Sequence, residues 1–168
     1  MKIILSFILA FFCIATANGQ VSAEDYGLQI YKMIISGDRE LSNEFVDLQQ
    51  YSAYIDNLNS LPEDQKENIK RNAAKSYSEV RHDFDSECNR IISLYVDGLK
   101  TGTTFTFSNC AFEIDKQFPN IGMITCYYIA DIPEEEEPVA DAIKFECIKT
   151  DTGWRILDGF FDETYANR

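Results

Sequence analysis

Chemistry in this chain would have to start from few side chains: a single histidine, five cysteines and some clustered carboxylates. His82 alone has an unperturbed pKa near neutrality, so it is the first candidate for acid–base work. It stands beside Asp83 in a strongly helical stretch, off the apolar stripe, and reads as a surface histidine among charges. The run Asp83-Phe84-Asp85-Ser86-Glu87 has the look of a calcium loop. It lacks the central Gly and the distal bidentate Glu, and in a helix its alternate residues point to different sides. A Cys–His nucleophile would need Cys88 to meet His82, and their helical separation turns them to different sides. No nucleophile elbow, dinucleotide fingerprint or phosphate loop occurs. No catalytic residue, cofactor or metal site is therefore assigned.

The cysteines say more about compartment than about catalysis. Residues 1–20 carry one charge, Lys2, then an apolar run from Ile3 to Ala15 and small residues at Ala15 and Ala17. That is the layout of a cleavable secretory signal, with cleavage near 17–20 and a single domain over 21–168. Ala10-Phe11-Phe12 before Cys13 is too bulky for lipoprotein processing, and no later run approaches the ~20 apolar residues of a span. A secreted or periplasmic protein follows, with no membrane association after cleavage. Cys88, Cys110, Cys126 and Cys147 remain, enough for two disulfides in three connectivities among which spacing does not choose. A zinc site would have to gather all four thiols from a helix and three strands, and buried free thiols are the plain alternative.

Composition supports one folded domain. The aromatic share of 13% and hydrophobic share of 45% exceed what a disordered chain carries. The net charge of −13 becomes −14 when Lys2 leaves with the signal. Clustered Lys and Arg are what draw a protein to phosphate backbones, and their absence excludes nucleic acid as a partner.

Two short helices are expected first. Ser22 and Asp25 form a cap, and Tyr26, Ile30, Met33 and Ile34 keep helical spacing up to Gly37. Asp38 caps a second segment in which Leu41, Phe45, Leu48, Ile55 and Leu58 recur up to Asn59. Ser60-Leu61-Pro62-Glu63 then offers a capping box for a long third helix, whose stripe runs from Ile69 through Ala73, Tyr77, Val80, Phe84, Cys88 and Ile91 to Tyr95. Gly98 or Gly102 ends it.

From Thr103 the period shortens to that of strands: 103–114, 121–130, 139–150 and 154–160. Gln117-Phe118-Pro119-Asn120 and Asp151-Thr152-Gly153 are turns, and the acidic run Pro133 to Pro138 is a solvated loop tip. The fold class is α+β, about three N-terminal helices on a four-stranded antiparallel meander. Ile143, Phe145 and Cys147 should face inward. If the first two strands pair around Phe118, Cys110 falls opposite Cys126, which makes that pair the first choice for a disulfide, with Cys88 as a competing partner. The aromatic residues able to line a pocket are Phe105, Phe107, Tyr127, Tyr128 and Trp154, with alternation dividing the first four between the core and the opposite face.

Ile34-Ile35-Ser36-Gly37-Asp38 after the first helix, and Cys147-Ile148-Lys149-Thr150-Asp151-Thr152-Gly153-Trp154-Arg155-Ile156 near the end, carry a resemblance. The chain resembles small exported members of the nuclear-transport-factor-2-like and SnoaL-like superfamily, with its cystatin-like cone. The resemblance implies a sheet curled around helices to make a pocket, used for catalysis by some members and only for binding by many. The first expectation is noncatalytic binding of a small ligand or protein partner in the cone or across its open face. The alternative is an isomerase- or cyclase-type enzyme with an Asp/Tyr pocket drawn from residues such as Asp158 or Tyr127. An interaction role, as an inhibitor or immunity factor, would favour a basic partner.

Overall fold

The computed structural model describes residues 21–133 and 135–161. The expected export signal, with Cys13 and the Ala15–Ala17 cleavage site, lies outside them. Helices come first: α1 (Ala23–Ser36), a 3-10 helix (Arg39–Glu44), α2 (Leu48–Asp56) and α3 (Glu63–Lys100). Strands follow: β1 (Thr104–Ile114), β2 (Ile121–Asp131), β3 (Val139–Thr150) and β4 (Gly153–Phe161). They form one sheet in the order β1-β2-β3-β4, each pair antiparallel. The fold is thus α+β, helices followed by a four-stranded meander.

Helix α1 starts where Ser22 Oγ accepts from the Asp25 amide and stops at Gly37, whose φ of 74° lets its own amide donate to the Ile34 carbonyl and the Asp38 amide to that of Met33. Its apolar face, Tyr26, Ile30 and Ile34, lies on the sheet. Gly27 is the point of closest approach. A Cβ there would sit 2.7 Å from Ile124 Cγ2 and 2.9 Å from Cys110 Sγ, so only glycine lets the helix backbone down onto the strands.

The segment after Gly37 departs from the expected single helix. Asp38 does cap, accepting from the Glu40 amide, but the helix it starts is a short 3-10 piece. Phe45 and Val46 then run extended, and the Val46 amide donates to the Ile156 carbonyl, adding a parallel bridge to the outer edge of β4. A tertiary hydrogen bond outweighs the local periodicity. Asp47 restarts the helix with a capping box to Gln50.

Helix α3 is 38 residues, ~57 Å, longer than the strands it crosses. The capping box expected from Ser60 and Glu63 is not made: Pro62 is the N-cap, and no side chain caps the end. Lys66 serves the neighbouring helix instead, its buried ammonium donating to the Asp56 carbonyl at the end of α2 and pairing with Glu63. Only the C-terminal half of the stripe, Phe84, Cys88, Ile91 and Tyr95, is fully buried. Ile69, Ala73 and Tyr77 are half-buried and Val80 is exposed, because this half overhangs the sheet and meets α2.

Phe145, Ile143 and Cys147 face the helices, where Tyr26 and Phe160 contact Phe145 and Phe84 stacks on Phe160. Along β3 the outward positions pass from exposed Ala140 through half-buried Lys144 and Glu146 to fully buried Ile148. That gradient follows α2, which contacts β3 and closes one end of the outer face. The other end is left open.

Candidate functional site

The five aromatic residues expected to line a pocket are sorted into three places. Phe105, Phe107 and Tyr128 face the helices and pack into one cluster. Tyr31 lies 5.1 Å from Phe107 and 6.0 Å from Tyr128, and Tyr95 lies 5.0 Å from Phe105. The Tyr95 and Tyr128 hydroxyls are hydrogen-bonded at 2.6 Å. Trp154 belongs to the far end of the sheet, where its ring meets Phe112 and Lys149 and its indole N–H donates to the Val21 carbonyl. Tyr127, on the outer face, is exposed. The division between core and opposite face is that of strand alternation, and no single pocket gathers all five.

Cys110 stands directly opposite Cys126 across β1 and β2, Cα atoms 4.1 Å apart, and their sulfurs are bonded. Cys88 and Cys147 are free and buried, and burial pushes each thiol up to about 12, which keeps it protonated and unreactive. His82 is exposed on α3. Asp85 and Glu87 pair with Arg81 and Arg90 on the same helix. Among the described residues there is no cluster of three metal-ligating side chains.

Asp158 and Tyr127 do not meet. Asp158 is exposed on β4, its Oδ1 accepting from the Gly159 amide, and β3 lies between it and the strand of Tyr127. Two other carboxylates are more unusual. Burial, helped by Asp158 and Asp115, raises the pKa of Glu146 on the outer face. Asp141 pairs across the sheet with Tyr128, and its buried Oδ2 has no hydrogen-bond partner among the described residues. Sequence reading missed both, since nothing local distinguishes them from other strand carboxylates.

A cleft of ≈ 470 Å³ lies between α2, the β1–β2 turn and the β3–β4 turn. Its walls are tied together across long sequence separations. Gln50 Nε2 donates to Thr152 Oγ1 at 2.8 Å, the Tyr54 hydroxyl donates to the Pro119 carbonyl at 2.7 Å, and the Lys149 amide donates to the Asn120 carbonyl at 2.7 Å. Burial drives the Tyr54 phenol up to about 12, so it stays a donor. The sequence marks Asn120 and Asp151 only as turn residues; their meeting with α2 is a tertiary event.

Comparison of the chain with protein-family models, with curated proteins and with solved structures gave no match. Among the described residues no helix is long and apolar enough to cross a membrane.

The open end of the outer face carries Tyr127 and Ile129, 44% and 42% exposed, two residues apart on the same side of β2. Their cross-strand partners on β3 are Ala142 and Ala140, too small to cover them. Exposed Asp131 and Glu113 lie on the same face, and β1 beyond them is an edge strand.

Proposed function

We propose that this chain is an exported, noncatalytic recognition domain that docks a basic protein partner on the open end of its sheet. The observation that carries the reading is the pair Tyr127 and Ile129, exposed side by side against Ala142 and Ala140, with the Asp131 carboxylate next along the same face. Aromatic and branched anchors inside a polar rim are the usual make-up of a docking patch. The net charge of −13 steers a basic partner toward it. Helices followed by a meander support placing the domain with the noncatalytic members of the nuclear-transport-factor-2-like group. Cross-linking in the native compartment tests it. A protein captured by the wild type, lost with Tyr127→Ser/Ile129→Ser and weakened by salt is the expected outcome; identical capture by a folded variant sinks the idea.

A second reading, an isomerase- or cyclase-type enzyme, is favoured by Asp141, whose unpartnered buried oxygen shares the inner face with the Tyr95–Tyr128 hydroxyl pair. Its other oxygen accepts from the Ala142 amide, but a buried carboxylate oxygen left without a partner costs stability and is retained where it has work to do. Asp141→Leu should then raise the unfolding midpoint. A lowered midpoint would make Asp141 a structural residue and remove this reading.

A further inference from the structure

We propose that the cleft between α2 and the two sheet turns is a binding site for a neutral, hydroxyl-rich ligand, a segment of oligosaccharide. Its size, ≈ 470 Å³, lies within the range of ligand sites, and its walls come from three separate stretches of chain. Those walls are built by one set of polar groups and lined by another. Gln50, Thr152 and Tyr54 spend their side-chain hydrogen bonds holding α2 against the turns, and Thr150 Oγ1 donates to the Gly153 carbonyl. The side chains of Gln49, Asn57, Asn120 and Asp151 make no hydrogen bond or ion pair among the described residues, and all four line the cleft.

What these side chains offer selects the ligand chemistry. Three amides present paired donors and acceptors, and one carboxylate accepts two hydrogen bonds at once, the geometry that vicinal hydroxyls satisfy. An anion finds little here: among the described residues Lys149 is the only cation lining the cleft, its ammonium sits 5.6 Å from the Trp154 ring, and Asp47 and Asp151 oppose it. A metal ion finds less, since no three ligating side chains converge among the described residues. An apolar ligand would bury these amides without partners. Tyr54, Leu58 and Pro119 supply the carbon surface against which the C–H face of a sugar ring packs. Because the bracing hydrogen bonds already exist, little ordering entropy is lost on binding.

The site is separate from the Tyr127–Ile129 face, so the two proposals fail independently. The test titrates the purified chain with cellotetraose, chitotetraose, maltotetraose and xylotetraose, read by amide chemical shifts and calorimetry. At least one should bind, shift the Gln49, Asn57, Asn120 and Thr152 signals, and show no salt dependence. Gln49→Ala and Asn57→Ala, both exposed positions, should each weaken it by about tenfold, while Tyr127→Ser leaves it unchanged. Three results overturn the proposal: no binding of any of these sugars at millimolar concentration, binding unaffected by both cleft variants, or a polar peptide occupying the cleft in their place.

Discussion

Tyr127 and Tyr128 share a strand, a side-chain chemistry and a peptide bond, yet the first is 44% exposed and the second 1%. The strand period of two sends them to opposite faces, and the faces differ in what covers them. Tyr128 lies under α1 and α3, in ring contact with Tyr31, Tyr95 and Phe105. Tyr127 has alanine and asparagine as its cross-strand neighbours, and no ring contact among the described residues. One face of this sheet is covered by the long helices, and the end of the other face that carries Tyr127 is left uncovered.

That division breaks most directly by substitution at the two tyrosines. Tyr128→Ala should cost about 3–5 kcal/mol in urea unfolding, while Tyr127→Ala should stay within about 0.5 kcal/mol. Equal losses would mean that the faces are not specialised. Next in size is the Cys110–Cys126 bridge on the inner face. With its ends 16 positions apart in sequence, its removal by Cys110→Ala/Cys126→Ala should cost about 3 kcal/mol, read as a lowered midpoint that added reductant does not lower further.

Gly27→Ala presses a methyl group onto Ile124 and Cys110 and should cost about 1–3 kcal/mol, whereas an alanine at the half-buried Gly159 meets nothing closer than 3.7 Å. The Gly27 loss should exceed the Gly159 one in thermal melts. The inner face should also be alkali-sensitive. Burial lifts Tyr31 from the ordinary 10.0 to about 12, so the folded state holds its proton longer than the unfolded chain does. Its stabilisation is complete below pH 10 and disappears as pH rises through about 12; Tyr31→Phe should flatten that part of the pH–stability curve.

The smallest effect belongs to the outer face. The raised pKa of Glu146 means that folding disfavours its charge, so stability falls as pH rises through the carboxyl range. Glu146→Gln should raise the neutral-pH midpoint slightly, by a fraction of about 1 kcal/mol, and a lowered midpoint would contradict the assignment.

The sheet was the most legible part of the sequence. Val139–Thr150 matches its predicted limits, and the pairing symmetry about Phe118 brings Cys110 to Cys126. Both follow from local alternation and turn chemistry, which a single chain displays openly. Helical spacing failed at Phe45, where a hydrogen bond from Val46 to Ile156 pulls the backbone straight. It also overstated the burial of Val80, since periodicity shows which residues share a face and says nothing of how far the opposing sheet extends. The cleft was invisible for the same reason. Gln50 and Thr152 are far apart in the chain, and neither carries a local sign of the other.

Helix α1 lies on the Cys110–Cys126 bridge with Gly27 against both sulfurs, so the seated helix shields one side of the bond. With the helix seated Cys126 is buried and Cys110 half-buried on the edge strand, so a reductant has only the Cys110 side to approach. Detachment of the first helix would uncover the Cys126 side as well, so disulfide exchange should be faster in a chain whose N-terminal helix is loosened.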